Sequence, residues 1–309
     1  MNRVALHVAV MVCFLAFNGF HAFAQKEPLT EAEQEARDKA LAKYQASLLI
    51  DPRVNLKLAE SQKAEMLELT VSDSLRRAVV ISPKDNARPA PLVFVYHGRR
   101  GLLPSSINNI PIYRYWPEAI IVYSQGLWID GGNKIKWGTG WQMPNKKSVR
   151  RDVRLFDAQL EYLIRHFNVD TNRIFAMGHS NGGGMTGGLW SVRSEKLAGI
   201  CISCSSSNTD NPLVQFRPAK PLFFLLAEED QLVDNDKYKA YIRYIVGKQT
   251  TGTGSAEGGY LDEGEMMRYD AAADGAEVMT YFYPGRHRFN PAALPYIVTF
   301  FKRHYLLKP

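Results

Sequence analysis

Cysteine is scarce in this chain, three in 309 residues, which excludes a small scaffold stapled by disulfides. Cys13 falls in an N-terminal apolar stretch, leaving Cys201 and Cys204 in Gly199-Ile200-Cys201-Ile202-Ser203-Cys204. On a strand, residues three apart point to opposite faces, so this pair is expected as two buried free thiols. No further Cys or His stands at ligand spacing, so no metal and no cofactor are expected. Dense Lys/Arg runs are missing too. The formal charge of +7 is spread along the chain, which argues for a mildly basic surface and against a nucleic-acid partner. Nor is there an unbroken apolar run of the ~20 residues that a bilayer crossing needs. Asn18, Gly19 and His21 interrupt the stretch that begins at Val4. Met1-Asn2-Arg3 ahead of it and Ala22-Phe23-Ala24 behind it have the layout of a cleaved export signal. A secreted or periplasmic protein starting at Gln25, with no membrane attachment after cleavage, is the expectation.

With 46% hydrophobic and 22% charged residues, the chain has enough apolar surface for one large core. Thr30 to about Glu65 is rich in Ala, Glu, Lys, Gln and Leu, with Thr30 and Glu33 spaced as a capping box. One or two helices broken at Asp51-Pro52 are expected, forming a packing extension over residues 25–67 ahead of a catalytic domain over 68–309. Leu69-Thr70-Val71, a turn at Ser72-Asp73-Ser74 and Leu75 to Ile81 then read as an antiparallel hairpin. Apolar runs of strand length follow at 92–96, 119–123, 173–177, 197–203, 222–226 and 278–283. Continuous apolar strands fit a parallel sheet covered on both faces. Between them Val153, Phe156, Leu160, Leu163, Ile164 and Phe167 mark one face of a helix. The alternation predicts an α/β fold with a mostly parallel central sheet, helices on both faces, and ligands at the carboxyl ends of the strands. Gly247 to Gly264, with six glycines, is the candidate for a mobile insertion.

The chemistry centres on Gly178-His179-Ser180-Asn181-Gly182-Gly183-Gly184, which lies between the run Arg173 to Met177 and a helix-compatible segment. A Gly-x-Ser-x-Gly turn from a buried strand into a helix strains the serine backbone and lifts its hydroxyl above the sheet. A serine hydroxyl needs an imidazole to take its proton and a carboxylate to orient that imidazole, in the chain order Ser, acid, His. Of the histidines after Ser180, His304 stands near the end of a terminal helix expected over 294–305. His287 instead follows the last strand, at the catalytic edge. His287 is the candidate base. On the loop after Ala227, Asp230 is the favoured acid and Asp234 the runner-up, with Leu232 and Val233 able to tuck that loop against the sheet. The two N–H donors for an oxyanion are expected from Asn181, next to the nucleophile, and from Arg99 in the turn after His97-Gly98. His97 itself is expected to brace that turn. Trp128, Trp137 and Trp141 fall near the same edge and are candidates for a substrate platform. Arg100 and Arg288, with Arg99 and Arg286, are candidates for binding an acidic group.

Leu75-Arg76-Arg77-Ala78-Val79-Val80-Ile81-Ser82-Pro83, Pro91 to Gly98, and Phe167 to Phe175 leading into Gly-His-Ser-Asn-Gly-Gly together resemble the secreted α/β-hydrolase esterases of the polyhydroxybutyrate depolymerase-like and feruloyl esterase-like group. The likeness spans roughly residues 68 to 303. It implies a carboxylic ester hydrolase working through an acyl-enzyme, with Ser180, Asp230 and His287 as triad and no cofactor. Arg288-Phe289-Asn290 replaces the Trp-Pro pair that often follows the histidine in that group. A soluble ester or oligomer is the expected substrate, of feruloyl, acetyl-polysaccharide or hydroxyalkanoate type. Two alternatives stay open: a serine peptidase on the same fold, and an inactive hydrolase serving as a binding module.

Overall fold

A computed structural model describes residues 29–85, 87–130, 137–142, 151–205, 218–256 and 264–306. The leader expected over residues 1–24 lies outside the described residues. Ten strands form one sheet, in the order β1-β2-β4-β3-β7-β8-β9-β12-β11-β10. Its centre is parallel: β4 (Ile120–Ser124), β3 (Ala90–Tyr96), β7 (Val169–His179), β8 (Gly199–Ser203), β9 (Leu222–Ala227) and β12 (Val278–Tyr283). The flanks are antiparallel. β1 (Gln62–Val71) and β2 (Ser74–Pro83) close one edge, and β11 (Glu265–Ala271) and β10 (Thr250–Ala256) the other. A separate two-stranded ribbon, β5 (Leu127–Asp130) with β6 (Trp137–Gly140), leaves the sheet after β4.

The period-two alternation of strand side chains splits each central strand between two cores. On β3, Leu92, Phe94 and Tyr96 face a core shared with α3 (Arg151–His166), α4 (Asn181–Arg193) and α5 (Asn235–Gln249). Val93 and Val95 face the opposite core, filled by α2 (Leu103–Asn109) and α6 (Leu294–Lys302). Both faces are thus covered, which is why these strands read as unbroken apolar runs.

Four boundaries differ from the sequence expectation. The N-terminal segment forms one helix, α1 (Glu31–Ser47), started by the Thr30–Glu33 capping box. No second helix follows, because 62 onward pairs with β2, so the division at 67/68 falls inside β1. α5 runs through Gly247 to Gln249, and 250–256 pair with β11 as the last strand of the sheet; strand pairing there overrides the glycine content, and 257–263 lie outside the described residues. The terminal helix stops at Lys302.

Helix α1 has no buried residue, so its amphipathic packing is not what holds it. It is fixed by Tyr44, stacked on Trp128 with ring centroids 6.0 Å apart, and by Arg77, whose guanidinium donates to the Leu48 carbonyl. Beneath the ribbon, the Arg76 guanidinium donates to Asp152 at 2.7 Å, with both side chains buried. The second oxygen of Asp152 accepts the Gln142 N–H at 2.6 Å. Breaking a buried ion pair leaves an uncompensated charge, at about 3–5 kcal/mol. Asp152→Ala is therefore expected to lower unfolding free energy by ~3–5 kcal/mol in chemical denaturation. Glu161→Ala, which removes the exposed pair with Arg165, is expected to cost less than ~1 kcal/mol.

Candidate active site

Ser180 sits between the end of β7 and the start of α4 with φ 55 and ψ −122, a left-handed conformation that a side chain ordinarily avoids. Glycines on each side permit it. A Cβ at Gly182 would lie 2.1 Å from the Tyr96 carbonyl oxygen, and one at Gly178 would lie 2.3 Å from the carbonyl oxygen of Gly182. The first turn of α4 therefore rests directly on the carboxyl ends of β3 and β7. The Ser180 N–H donates to Ser203 of β8 at 2.8 Å, which pins the turn from the other side.

His287 and Asp230 arrive from the loops after β12 and β9. His287 Nδ1 and Asp230 Oδ2 are 2.6 Å apart, and the Asp230 side chain is fully buried. Its other oxygen accepts the N–H groups of Leu232 at 2.8 Å and Val233 at 3.0 Å. These amides hold the acid in place, whereas the Leu232 side chain is 78% exposed. The expected tucking of an apolar pair thus applies to Val233 alone, which packs on the core. Asp234 instead caps α5, accepting the Lys237 N–H at 3.1 Å. His304 is half-buried against Phe300 and faces Glu277 at 3.6 Å.

Ser180 and His287 line one cavity of about 660 Å³, together with the 97–101 turn, Asn108, Asn109 and Phe289. Gly98 lies so close that a Cβ there would be 3.3 Å from that of Ser180, and Arg100 takes φ 62 while its N–H donates to Thr139. Among the described residues, no acceptor takes the N–H of Arg99 or of Asn181. The Asn181 side chain is engaged elsewhere, accepting the Trp141 N–H at 2.7 Å and donating to the Trp141 carbonyl at 3.3 Å.

Two buried imidazoles frame the cavity. His97 Nδ1 meets the Gly98 carbonyl at 2.7 Å, while Nε2 accepts the Gly126 N–H at 2.9 Å. That is a neutral tautomer, and burial holds its pKa down at about 4. His97 braces the turn, as expected. Sequence reasoning assigns no role to His179, which lies inside the elbow. Its Nδ1 meets Ser203 Oγ at 3.0 Å, its ring lies 4.8 Å from that of His287, and it hydrogen-bonds the His287 backbone. Burial, and next the His287 charge, lower its pKa to about 3. Its signal is the residue type itself: an imidazole immediately before Ser180, able to hydrogen-bond two loops.

Cys201 and Cys204 are free and buried, as expected. Cys204 lies just past β8 with φ 45, its sulfur 3.3 Å from the Tyr283 hydroxyl and near the Asp230–His287 pair. Cys204, Asp230 and His287 bring three donor atoms within 4.8 Å of one another. Two ligands of one zinc ion sit roughly 3.3 Å apart from its ~2 Å bonds. The 2.6 Å contact of His287 with Asp230 is instead a charge-assisted hydrogen bond, and burial raises the Cys204 thiol's pKa.

The tryptophan platform needs correction. Trp141 is not among the described residues that line the Ser180 cavity: its Nε1 donates to the His97 carbonyl at 2.8 Å and its ring packs on Tyr96. Trp128 and Trp137 stack at 6.2 Å, with Tyr44 over the first and the Arg100 guanidinium 4.1 Å over the second. Their faces are occupied by α1 and Arg100, so they cannot stack on a ligand without displacing these. They line a second groove of about 560 Å³ with Lys43, Arg100 and Ser105. Of the four arginines, Arg99 and Arg288 enter the Ser180 cavity, while Arg100 turns into the neighbouring groove.

Solved structures share this arrangement of strands and helices. A ferulic acid esterase superposes with a TM-score of 0.55 at 16% identity, over 79% of this chain and 98% of its own. An S-formylglutathione hydrolase from Agrobacterium tumefaciens gives 0.59 at 11%, over 81% and 98%. The chain has the α/β-hydrolase fold. A Pyrobaculum calidifontis esterase covers 89% of it and 99% of its own length, with a TM-score of 0.55 at 13% identity. No family model and no curated protein matches the sequence.

The buried imidazoles make stability depend on pH. Because their folded pKa values lie below the ordinary 6.5, unfolding takes up protons as pH falls below 6.5. Stability is full above that pH and is lost between 6.5 and about 4, at about 3 kcal/mol for each ring by pH 4. Denaturation series across this window should show the loss in the wild type and a shallower slope in His97→Gln. Parallel slopes would remove His97 from the effect.

Proposed function

We propose that the protein is a serine carboxylic ester hydrolase that works through an acyl-enzyme. The observation that carries the reading is the 2.6 Å Asp230–His287 hydrogen bond opening onto the cavity that holds the strained Ser180. Ser180 Oγ attacks the ester carbonyl while His287 Nε2 takes its proton. Asp230 keeps the Nδ1 proton facing inward and stabilises the imidazolium that forms. The Arg99 and Asn181 N–H groups point their dipoles at the developing oxyanion. His287 then returns the proton to the departing alcohol, and water repeats the sequence to release the acid. His179 acts as a positioning residue, holding the His287 backbone against β8. The fold shared with three hydrolases supports the reaction class. Fold alone leaves the peptidase and binding-module readings open, and intact, hydrogen-bonded acid and base favour catalysis over the latter.

A fluorophosphonate probe should label the wild type and not Ser180→Ala, and Ser180→Ala and His287→Ala should each lower ester hydrolysis by at least ~10³-fold. Asp230→Asn should fall steeply while Asp234→Asn keeps its activity. Equal losses in His304→Ala and none in His287→Ala would overturn the assignment of the base.

We further infer export, from the Met1–Ala24 pattern. Intact-mass measurement of protein recovered outside the cytoplasm should give a chain beginning at Gln25 with both remaining thiols free. A mass that retains residues 1–24 would refute cleavage.

A further inference from the structure

Among the described residues that line the Ser180 cavity, the charged ones are of one sign: Arg99 and Arg288 are present and no Asp or Glu. Nε and Nη2 of Arg99 are buried without a hydrogen-bond partner among the described residues. Burial and the neighbouring Arg100 both weigh against its charge. A guanidinium taken out of water without an acid is costly, and its fork of donors matches a planar or tetrahedral oxyanion. Arg288 enters from the His287 loop, its carbonyl fixed by the Tyr283 hydroxyl, and it makes no ion pair among the described residues. Ser105 borders both this cavity and the groove under α1. There Lys43 and Arg100 repeat the pattern, again with no Asp or Glu among the described lining residues. Two adjoining hollows built from different loops therefore share one sign among the described residues.

We propose that the substrate is an anionic ester, with a carboxylate or sulfate on the same molecule as the scissile bond, held between Arg99 and Arg288, and that further anionic units of an oligomer run past Ser105 to Arg100 and Lys43. The proposal rests on the ester-hydrolase reading and names its substrate class. Asn108 and Asn109, exposed at the cavity wall, supply donors and acceptors for a hydroxylated carrier such as a sugar. Tyr44 and the covered indoles make the groove wall rather than a stacking face. The helical extension thus serves as one side of a binding cleft.

Acetyl esters of galactose, galacturonic acid and galactose 6-sulfate differ only at the sixth carbon and separate the two anion sources. Acetate release from either anionic ester should exceed that from the neutral one by roughly tenfold in kcat/KM at low salt. The ratio should shrink toward one in 0.5 M salt, as screening reaches an open cavity. Arg288→Gln should lower the anionic-to-neutral ratio. In Lys43→Gln and Arg100→Gln the added preference for an acetylated galacturonate trimer over the monomer should disappear. Calorimetric binding of the trimer and its neutral counterpart to Ser180→Ala reads the cleft without turnover. Binding of the acidic trimer alone supports the proposal even if no ester is cleaved, a result that would sink only the hydrolase reading. Active hydrolysis with anionic-to-neutral ratios near one at every salt concentration, and equal binding of both trimers, would overturn it.

Discussion

The close seating of the first turn of α4 on the carboxyl ends of β3 and β7 is the constraint on which the rest of the site depends. Only glycine at 178 and 182 lets backbone meet backbone at that point, since any Cβ would lie within 2.3 Å of a carbonyl oxygen. The approach forces Ser180 into its left-handed conformation and lifts its hydroxyl off the sheet. It also leaves the Asn181 N–H without an acceptor among the described residues, beside the turn that carries Arg99. Strain at one residue is held by two cores of buried side chains beneath it.

Around that turn the loops are fixed by polar contacts more than by apolar packing. His97 and His179 each use both ring nitrogens on backbone or hydroxyl groups, and an imidazole that must stay neutral to do so is well served by burial. Asp230 is held by two amides and one imidazole, which keeps its charge where His287 needs it. A preorganised cavity follows, with little left to reorganise when charge develops on a substrate.

The edge over this cavity is assembled from parts distant in sequence. Tyr44, Trp128, Trp137 and Arg100 stack in that order, so each indole lies between two neighbours and the helix that carries Tyr44 is held without burying a residue of its own. The same stacking turns Arg100 into the neighbouring groove, and among the described residues Arg99 and Arg288 are the arginines that line the Ser180 cavity.

The parallel strands are legible in the residues, because strands covered on both faces must be apolar throughout, and so is the elbow, because glycine spacing records a steric demand. The chain order of Ser180, Asp230 and His287 can likewise be read directly from the residues. Which carboxylate meets the imidazole depends on the folded loops: Asp230 and Asp234 look alike in sequence, and they differ by which backbone amides each reaches. The same holds for the tryptophans, since residue type shows a large aromatic surface and only packing shows what already covers it. β10 is not legible as a strand because its glycines carry no apolar alternation, and its hydrogen bonds to β11 supply what its side chains do not. His179 stands beside Ser180 in the sequence, yet its role depends on Ser203 and His287, 24 and 108 positions away, which only folding brings to either side of one ring.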